Sequence, residues 1–129
     1  MDLNKFKPIN DKYGHEVGDM VLIEVGKRLT SPVRSNESVF RVGGDEFVIL
    51  VKQIHMESEI ELVVQKIVLG FVPKFAAKDL LLDITLSIGV SISPDYSHDG
   101  NSLIHYADVA MFQAKKTDGC DYVIYSPQV

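Results

Sequence analysis

Two short apolar runs, residues 38–42 and 45–51, are separated only by Gly43-Gly44. A two-glycine link between such runs is typical of a β-hairpin, because the favoured two-residue turns need a positive φ. We therefore predict that both glycines form the turn with positive φ, and that Asp45 and Glu46 directly follow it.

Helical and strand patterns surround this hairpin in a regular order. Apolar spacing predicts helices over 18–30, 57–72 and 102–116, the first capped by Asp19 and ended by Ser31-Pro32. Strict alternation predicts a strand over 83–92 with one face more deeply buried, and residues 121–125 form a last strand. The resulting α/β order is αββαβαβ, and its core, αββαβ, lacks only a first strand just before Asp2 to become a split βαββαβ unit.

Composition limits the class of protein. With 129 residues, 46% of them hydrophobic and 24% charged, the chain is predicted to be one globular domain, residues 1–129. The net charge of −5 argues against a general nucleic-acid binder. No apolar run reaches membrane-spanning length and the N-terminus is not of signal-peptide type, so we expect a cytoplasmic chain. The single cysteine, Cys120, has no cysteine partner for a disulfide or a zinc site.

Three carboxylates stand out by position. Asp45 and Glu46 lie at the tip of the predicted hairpin, and Asp2 lies where the first strand would end. Strands one and three are neighbours in a split unit, so we expect Asp2 and Asp45 to converge. Converging carboxylates suit Mg²⁺, which takes oxygen ligands and keeps waters and substrate phosphates. The alternative is a hairpin tip that is merely solvated.

Residues 4–15 form a second polar cluster. A chain that leaves a strand and enters a short helix offers backbone N–H groups to an anion, and Lys5 and Lys7 add positive charge there. The segment lacks the Walker A pattern, so it predicts a phosphate cradle of another kind.

Four segments together resemble the GGDEF family of diguanylate cyclase domains. They are residues 2–19 (DLNKFKPINDKYGHEVGD), 40–47 (FRVGGDEF), 87–90 (SIGV) and 106–115 (YADVAMFQAK). The resemblance implies a ferredoxin-like βαββαβ palm, an α+β sandwich related to nucleotide cyclases, with helices packed on an antiparallel-rich sheet. It also implies that this chain lacks the family's N-terminal helix and first strand, and comes from a longer protein with sensor or phosphodiesterase (GGDEF/EAL-type) modules.

The resemblance implies a reaction as well. Two GTP molecules condense to cyclic di-GMP and two pyrophosphates across a transient twofold dimer, with Mg²⁺ or Mn²⁺ as cofactor. By motif position, Asp2 and Asp45 would hold the metal with the Leu3 carbonyl. Glu46 would either help to activate the 3′-hydroxyl or hold metal, and both roles stay open.

Nucleotide contacts follow from the same motif positions. Asn10 and Asp19 match the pair that recognises guanine, since an amide and a carboxylate suit its donor and acceptor edge. His15 matches a further nucleotide contact, with a hydrogen-bonded structural role as the equal alternative.

The phosphate side of the nucleotide involves glycines and lysines. Gly43 and Gly44 would let the hairpin approach the nucleotide without a Cβ clash. Lys7 and Lys115 would contact phosphates, although lysines such as Lys115 and Lys116 also occur at helix ends only to complement the helix dipole.

The chain departs from the family pattern at several positions. Asn4 replaces the second acid of an Asp-x-Asp motif, which we interpret as tolerated, and Cys120 stands where a second phosphate-contacting cation is common. Arg34 and Glu37 occupy the positions of an inhibitory product site, Arg-x-x-Asp, with a longer acid. The segment is therefore either an altered inhibitory site or a plain surface loop.

Two other functions compete with the cyclase. The first is a degenerate GGDEF module that binds GTP or cyclic di-GMP and regulates an attached domain. The second is a purely structural interaction domain, which would leave the acids, the amide and the lysine at these positions without a reason. We expect GTP and cyclic di-GMP as ligands, and neither nucleic acid nor membrane as a partner of this segment.

Overall fold

The computed structural model describes residues 1–30, 38–52, 55–93, 99–117 and 122–126. The chain divides into two compact units, Leu3–Thr85, and Met1–Asp2 together with Leu86–Val129. Within the described residues, no helix has the length and apolar character that crossing a membrane requires. The elements in chain order are β1 (Asp2–Leu3), α1 (Phe6–Tyr13), α2 (His15–Thr30), β2 (Ser38–Gly43), β3 (Glu46–Leu50), α3 (Glu57–Gly70), β4 (Phe75–Ala77), β5 (Leu80–Leu82), β6 (Leu86–Val90), α4 (Gly100–Lys116) and β7 (Tyr122–Ile124).

The predicted hairpin is present as the antiparallel pair β2–β3, but its turn is shifted by one residue. Gly43 is the last residue of β2 and pairs with Glu46, so the turn residues are Gly44 and Asp45. Of the two glycines only Gly44 has a positive φ, 52°, and the prediction for Gly43 is wrong. The physical reason is an irregular register between Arg41 and Gly43, which moves the turn along the chain.

The β1 strand consists of two residues and lies beside β3. In the larger unit, the backbone N–H of Leu3 donates to the carbonyl of Asp45 at 3.2 Å. The prediction that the first and third strands of the split unit are neighbours is therefore confirmed at Leu3. The side chain of Leu3 is only 2% exposed, so this end of β1 is anchored in the core.

The α2 helix begins three residues earlier than the sequence pattern predicts. It starts at His15, directly after Gly14, so Asp19 lies inside the helix as an exposed residue and its predicted capping role is wrong. Gly14 has a φ of 94° and breaks the helical path between α1 and α2, which sets the start. One stripe of α2 enters the core, and its buried apolar residues are Val17, Val21, Val25 and Leu29.

A short hairpin, β4–β5, was not predicted from the sequence. Its turn consists of Lys78 and Asp79, and Lys78 has a φ of 53° without being glycine. The following strand, β6, consequently begins at Leu86 and is shorter than the predicted 83–92. Its apolar face is buried as predicted, but Ser87 on the opposite face is also only 2% exposed, so both faces are covered.

Arg28 fastens the segment between α3 and β4 to α2. Its guanidinium lies 3.6 Å from the centre of the Phe75 ring. The same group donates to three backbone carbonyls, those of Gly70, Pro73 and Lys74. A planar guanidinium can stack on the ring while its fixed fork of N–H groups donates to several carbonyls, whereas an ammonium has no flat face to stack.

We therefore expect Arg28→Lys to lower the free energy of unfolding by about 2 kcal/mol. Thermal and urea denaturation measure the change. Lys66→Arg, an exposed change on α3, is the control and should stay within about 0.5 kcal/mol. A loss as small as that of the control would show that the guanidinium contacts contribute little to stability.

In the smaller unit, β6 pairs in parallel with β7, and α4 packs closely on β6. Gly89 makes this approach possible, because a Cβ on it would lie 1.9 Å from the carbonyl oxygen of Ala107. The rings of Tyr106 and Tyr125 stack with their centres 4.5 Å apart, which joins α4 to the residue after β7. The position of α4 is thus set by a backbone contact near its middle, at Ala107, and by an aromatic pair beside it.

Candidate active site

The predicted guanine-reading residues lie where α1 meets α2. The N–H of Gly14 donates to the carbonyl of Asn10 at 2.8 Å, which closes α1 just before α2 begins. The Asn10 side chain lies directly against Gly18, because a Cβ on Gly18 would stand 1.7 Å from Asn10 Oδ1. The structure thus brings the Asn10 amide to α2 immediately before the exposed Asp19. His15, the first residue of α2, is exposed.

Gly18 is a residue of the candidate site that the sequence analysis did not identify, although it contacts the Asn10 side chain. It lies in the motif that carries the resemblance, yet no role was assigned to it. A buried glycine inside a helix is costly by itself, by about 1 kcal/mol relative to alanine, which is a reason to look for a close contact.

The predicted phosphate cradle lies between β1 and α1. Lys5 precedes α1 with a φ of 59°, in the left-handed region, and its side chain does not cap the helix. Lys7 lies in the first turn of α1 and is exposed. A helix start without a side-chain cap leaves N–H groups available to an anion, and the lysines add charge.

Asn4 holds this turn in place. Its backbone N–H donates to the Thr85 carbonyl at 2.9 Å, and its side-chain amide donates to Thr85 Oγ1 at 3.0 Å. The residue that replaces the second acid of the motif therefore has a structural partner 81 positions away. Spacing along the sequence could not have indicated Thr85.

The acidic hairpin tip is half-buried. Asp45 is a turn residue and Glu46 opens β3, while Gly43 and Gly44 are exposed. The guanidinium Nε of Arg41 donates to the Gly44 carbonyl at 2.9 Å, so the turn is braced by a side chain of β2. This bond ties the turn to β2 through a side chain that is not one of the two carboxylates.

Asp2 and Lys115 form an ion pair in the smaller unit. Lys115 Nζ donates to Asp2 Oδ2 at 2.6 Å, with side-chain exposures of 32% for the lysine and 20% for the acid. The other oxygen, Asp2 Oδ1, is buried and accepts no hydrogen bond from any described residue. Lys115, predicted to contact nucleotide phosphates, thus contacts a predicted metal ligand in this structure.

The donor set can be tested against a divalent cation. Within the described residues, no three His, Cys, Asp or Glu side chains are grouped as a ready-made metal site. Mg²⁺ does not need such a group, because it is usually held by one or two carboxylates, with waters and substrate phosphates as further ligands. The buried, unsatisfied Oδ1 of Asp2 fits this requirement, since a cation would supply the missing partner.

Three predicted residues cannot be placed. Arg34 and Glu37 of the altered inhibitory site lie outside the described residues, and so does Cys120. The choice between an inhibitory site and a surface loop therefore stays a prediction.

Comparisons with known proteins give one consistent result. The family model described as diguanylate cyclase, GGDEF domain, matches residues 1–119. Signaling protein YkoW of Bacillus subtilis is 41% identical over 127 residues, which are 98% of this chain and 16% of that protein. Diguanylate cyclase DgcP of Escherichia coli is 36% identical over 117 residues, 90% of this chain and 34% of that protein.

A solved structure shows the same fold. The crystal structure of the GGDEF domain of YfiN, or TpbB, from Pseudomonas aeruginosa matches with a TM-score of 0.94 at 28% identity, over 98% of this chain and 80% of that one. The palm-like α/β fold that the motifs predict is thereby confirmed. The chain spans less than two thirds of the length of YkoW and of DgcP. With the family model matching 119 of its residues, the chain belongs to the GGDEF family of diguanylate cyclase domains.

Proposed function

We propose that this chain condenses two GTP molecules into cyclic di-GMP and two pyrophosphates, each GTP being held by one subunit of a transient twofold dimer. The observation that supports the proposal most is the hydrogen bond from Leu3 to the Asp45 carbonyl, which joins the acidic turn to β1. Similarity to a protein named as a diguanylate cyclase, DgcP, supports the same reaction class.

In this proposal the chain's acids and amide have separate tasks. Asp2 and Asp45 hold Mg²⁺ or Mn²⁺ together with the Leu3 carbonyl, and the cation supplies charge stabilisation for the transferring phosphoryl group. Asn10 and Asp19 read the donor and acceptor edge of guanine. His15, exposed at the start of α2, is a further candidate contact to the nucleotide.

The phosphates are bound by positive charge and backbone donors. The uncapped start of α1 offers N–H groups, and Lys7 and Lys115 add their ammonium groups. Gly43 and Gly44 leave the hairpin without side chains beside the nucleotide.

The chemical step exchanges a phosphoanhydride bond of GTP for a phosphodiester bond. The 3′-hydroxyl oxygen of each GTP attacks the α-phosphorus of the other, a new P–O bond forms, and the bond to the β-phosphate oxygen breaks. Pyrophosphate leaves with that electron pair. The hydroxyl proton passes to a base, for which Glu46 at the start of β3 is the candidate if it is not itself a metal ligand.

The competing function is a module that binds GTP or cyclic di-GMP without turning GTP over. It is favoured by the replacement of a phosphate-contacting cation by Cys120, because weaker contacts to the phosphates disfavour turnover.

Incubation with GTP and Mg²⁺, followed by chromatography for cyclic di-GMP, separates the two functions. Cyclic di-GMP formation supports the cyclase. Saturable binding of GTP or cyclic di-GMP in calorimetry without product would support the module instead. Neither binding nor product would contradict both.

A further inference from the structure

In the ion pair between Asp2 and Lys115, only one of the two carboxylate oxygens of Asp2 has a partner among the described residues. Oδ2 of Asp2 receives a close ammonium contact at 2.6 Å, while Oδ1 is buried without a hydrogen-bond donor among the described residues. The Asp2 carboxylate is four-fifths buried, and only one of its two oxygens has a partner in the described part of the chain. Burying this charge costs free energy, and the attraction to Lys115 recovers only a part of that cost. The lysine therefore neutralises Asp2 without completing its coordination.

The lysine is suited to leave this position. Lys115 lies in the last turn of α4, and its ammonium is a point charge on a flexible stem with three donors. Its side chain remains 32% exposed, so it can turn towards a ligand without unfolding its helix. A divalent cation carries twice its charge and can engage both carboxylate oxygens of Asp2.

We propose that Lys115 is an exchangeable counter-ion of the metal site. In the absence of a divalent cation it neutralises Asp2, and it moves to the nucleotide triphosphate when cation and nucleotide bind together. This inference rests on the proposed function and adds a regulation of the same site. Its consequence is that the cation alone binds weakly, because it has to displace the ammonium, and that cation and GTP promote each other's binding.

The test measures binding of Mn²⁺ alone, by electron paramagnetic resonance of the free ion, with no nucleotide present. Lys115→Met removes the competing charge, so Mn²⁺ should bind about five- to tenfold more tightly than to the parent. The same variant should bind a GTP analogue that cannot turn over about tenfold more weakly in the presence of Mn²⁺, because a phosphate contact is lost. If Lys115 had only a structural role, its loss would not strengthen Mn²⁺ binding and weaken binding of the GTP analogue at the same time.

Two further variants serve as controls. Lys116→Met removes the neighbouring charge of the same helix and should change Mn²⁺ affinity by less than about twofold. Lys115→Arg keeps the charge and should keep the weak binding of Mn²⁺ alone. If Lys115→Met does not fold, Lys115→Gln gives the same measurement with a polar side chain.

Unchanged or weaker binding of Mn²⁺ alone to the Lys115→Met variant would overturn the proposal. If the parent nevertheless makes cyclic di-GMP, the counter-ion exchange fails and the cyclase stands. If the parent makes no cyclic di-GMP while Mn²⁺ binds more tightly to the variant, the proposed function fails and the exchange at Asp2 stands.

Discussion

Asp45→Asn is expected to lower cyclic di-GMP synthesis by at least about a thousandfold, because the cations that stabilise the transferring phosphoryl group lose a charged ligand. The turn itself should persist, since Gly44 provides the positive φ and Arg41 braces the Gly44 carbonyl. The free energy of unfolding should therefore change by less than about 1 kcal/mol. Chromatography of product and thermal denaturation measure the two effects.

The matched control for this substitution is Asp79→Asn, the same exchange in the β4–β5 turn of the larger unit. It should leave both turnover and stability close to those of the parent. Turnover by Asp45→Asn at the parent's rate would show that Asp45 is not a metal ligand. GTP binding that survives without turnover would instead separate nucleotide binding from chemistry.

Gly18→Ala is expected to weaken GTP binding by about tenfold or more without unfolding the protein. The added methyl group would overlap Asn10 Oδ1, and the amide, as the end of a side chain, can move away at small cost. Displacing it would remove the hydrogen bonds that we propose Asn10 makes to guanine, each contributing on the order of 1 kcal/mol. Calorimetry with a GTP analogue measures the loss.

Gly26→Ala is the matched control, because Gly26 lies on the same helix and a Cβ there meets nothing within 4 Å. It should raise helix stability by up to about 1 kcal/mol and leave GTP affinity unchanged. Asn10→Ala should weaken binding as Gly18→Ala does, and the double variant should add little to either. Additive losses would contradict a shared cause at Asn10.

The fold was predictable where the spacing of apolar residues and the positions of glycines indicate the same element. The hairpin strands and the stripe of α2 follow from local patterns, because one face of each must enter the core. The position of the turn at Gly44 was not predictable, because it depends on an irregular register between Arg41 and Gly43. The start of α2 at His15 was not predictable either, because it depends on the backbone conformation of Gly14. The β4–β5 turn was missed because Lys78 takes a glycine-like conformation that no sequence rule expects.

The candidate site was predictable as a set of residues but not as a set of contacts. Motif positions named Asp2, Asn10 and Lys115, and the structure places the Asn10 side chain against Gly18 of α2. The pairing of Asp2 with Lys115 spans 113 positions and joins two residues that the motifs assign to different ligands. Local patterns contain no information about such a pair, because only the folded chain brings it together.

Because Gly89 has no side chain, α4 can approach β6 closely, and Gly89 therefore sets the distance between the helix and the strand. The helix rests on β6 at Ala107, and Lys115 follows eight residues later, about 12 Å along the axis. A methyl group at Gly89 would push α4 away from β6, and the Lys115 ammonium would move with the helix. A substitution in the sheet can therefore change the position of this ammonium. Tuning of this domain by natural variation or by engineering can therefore begin in the sheet, at a position outside the residues that we propose to hold nucleotide and metal.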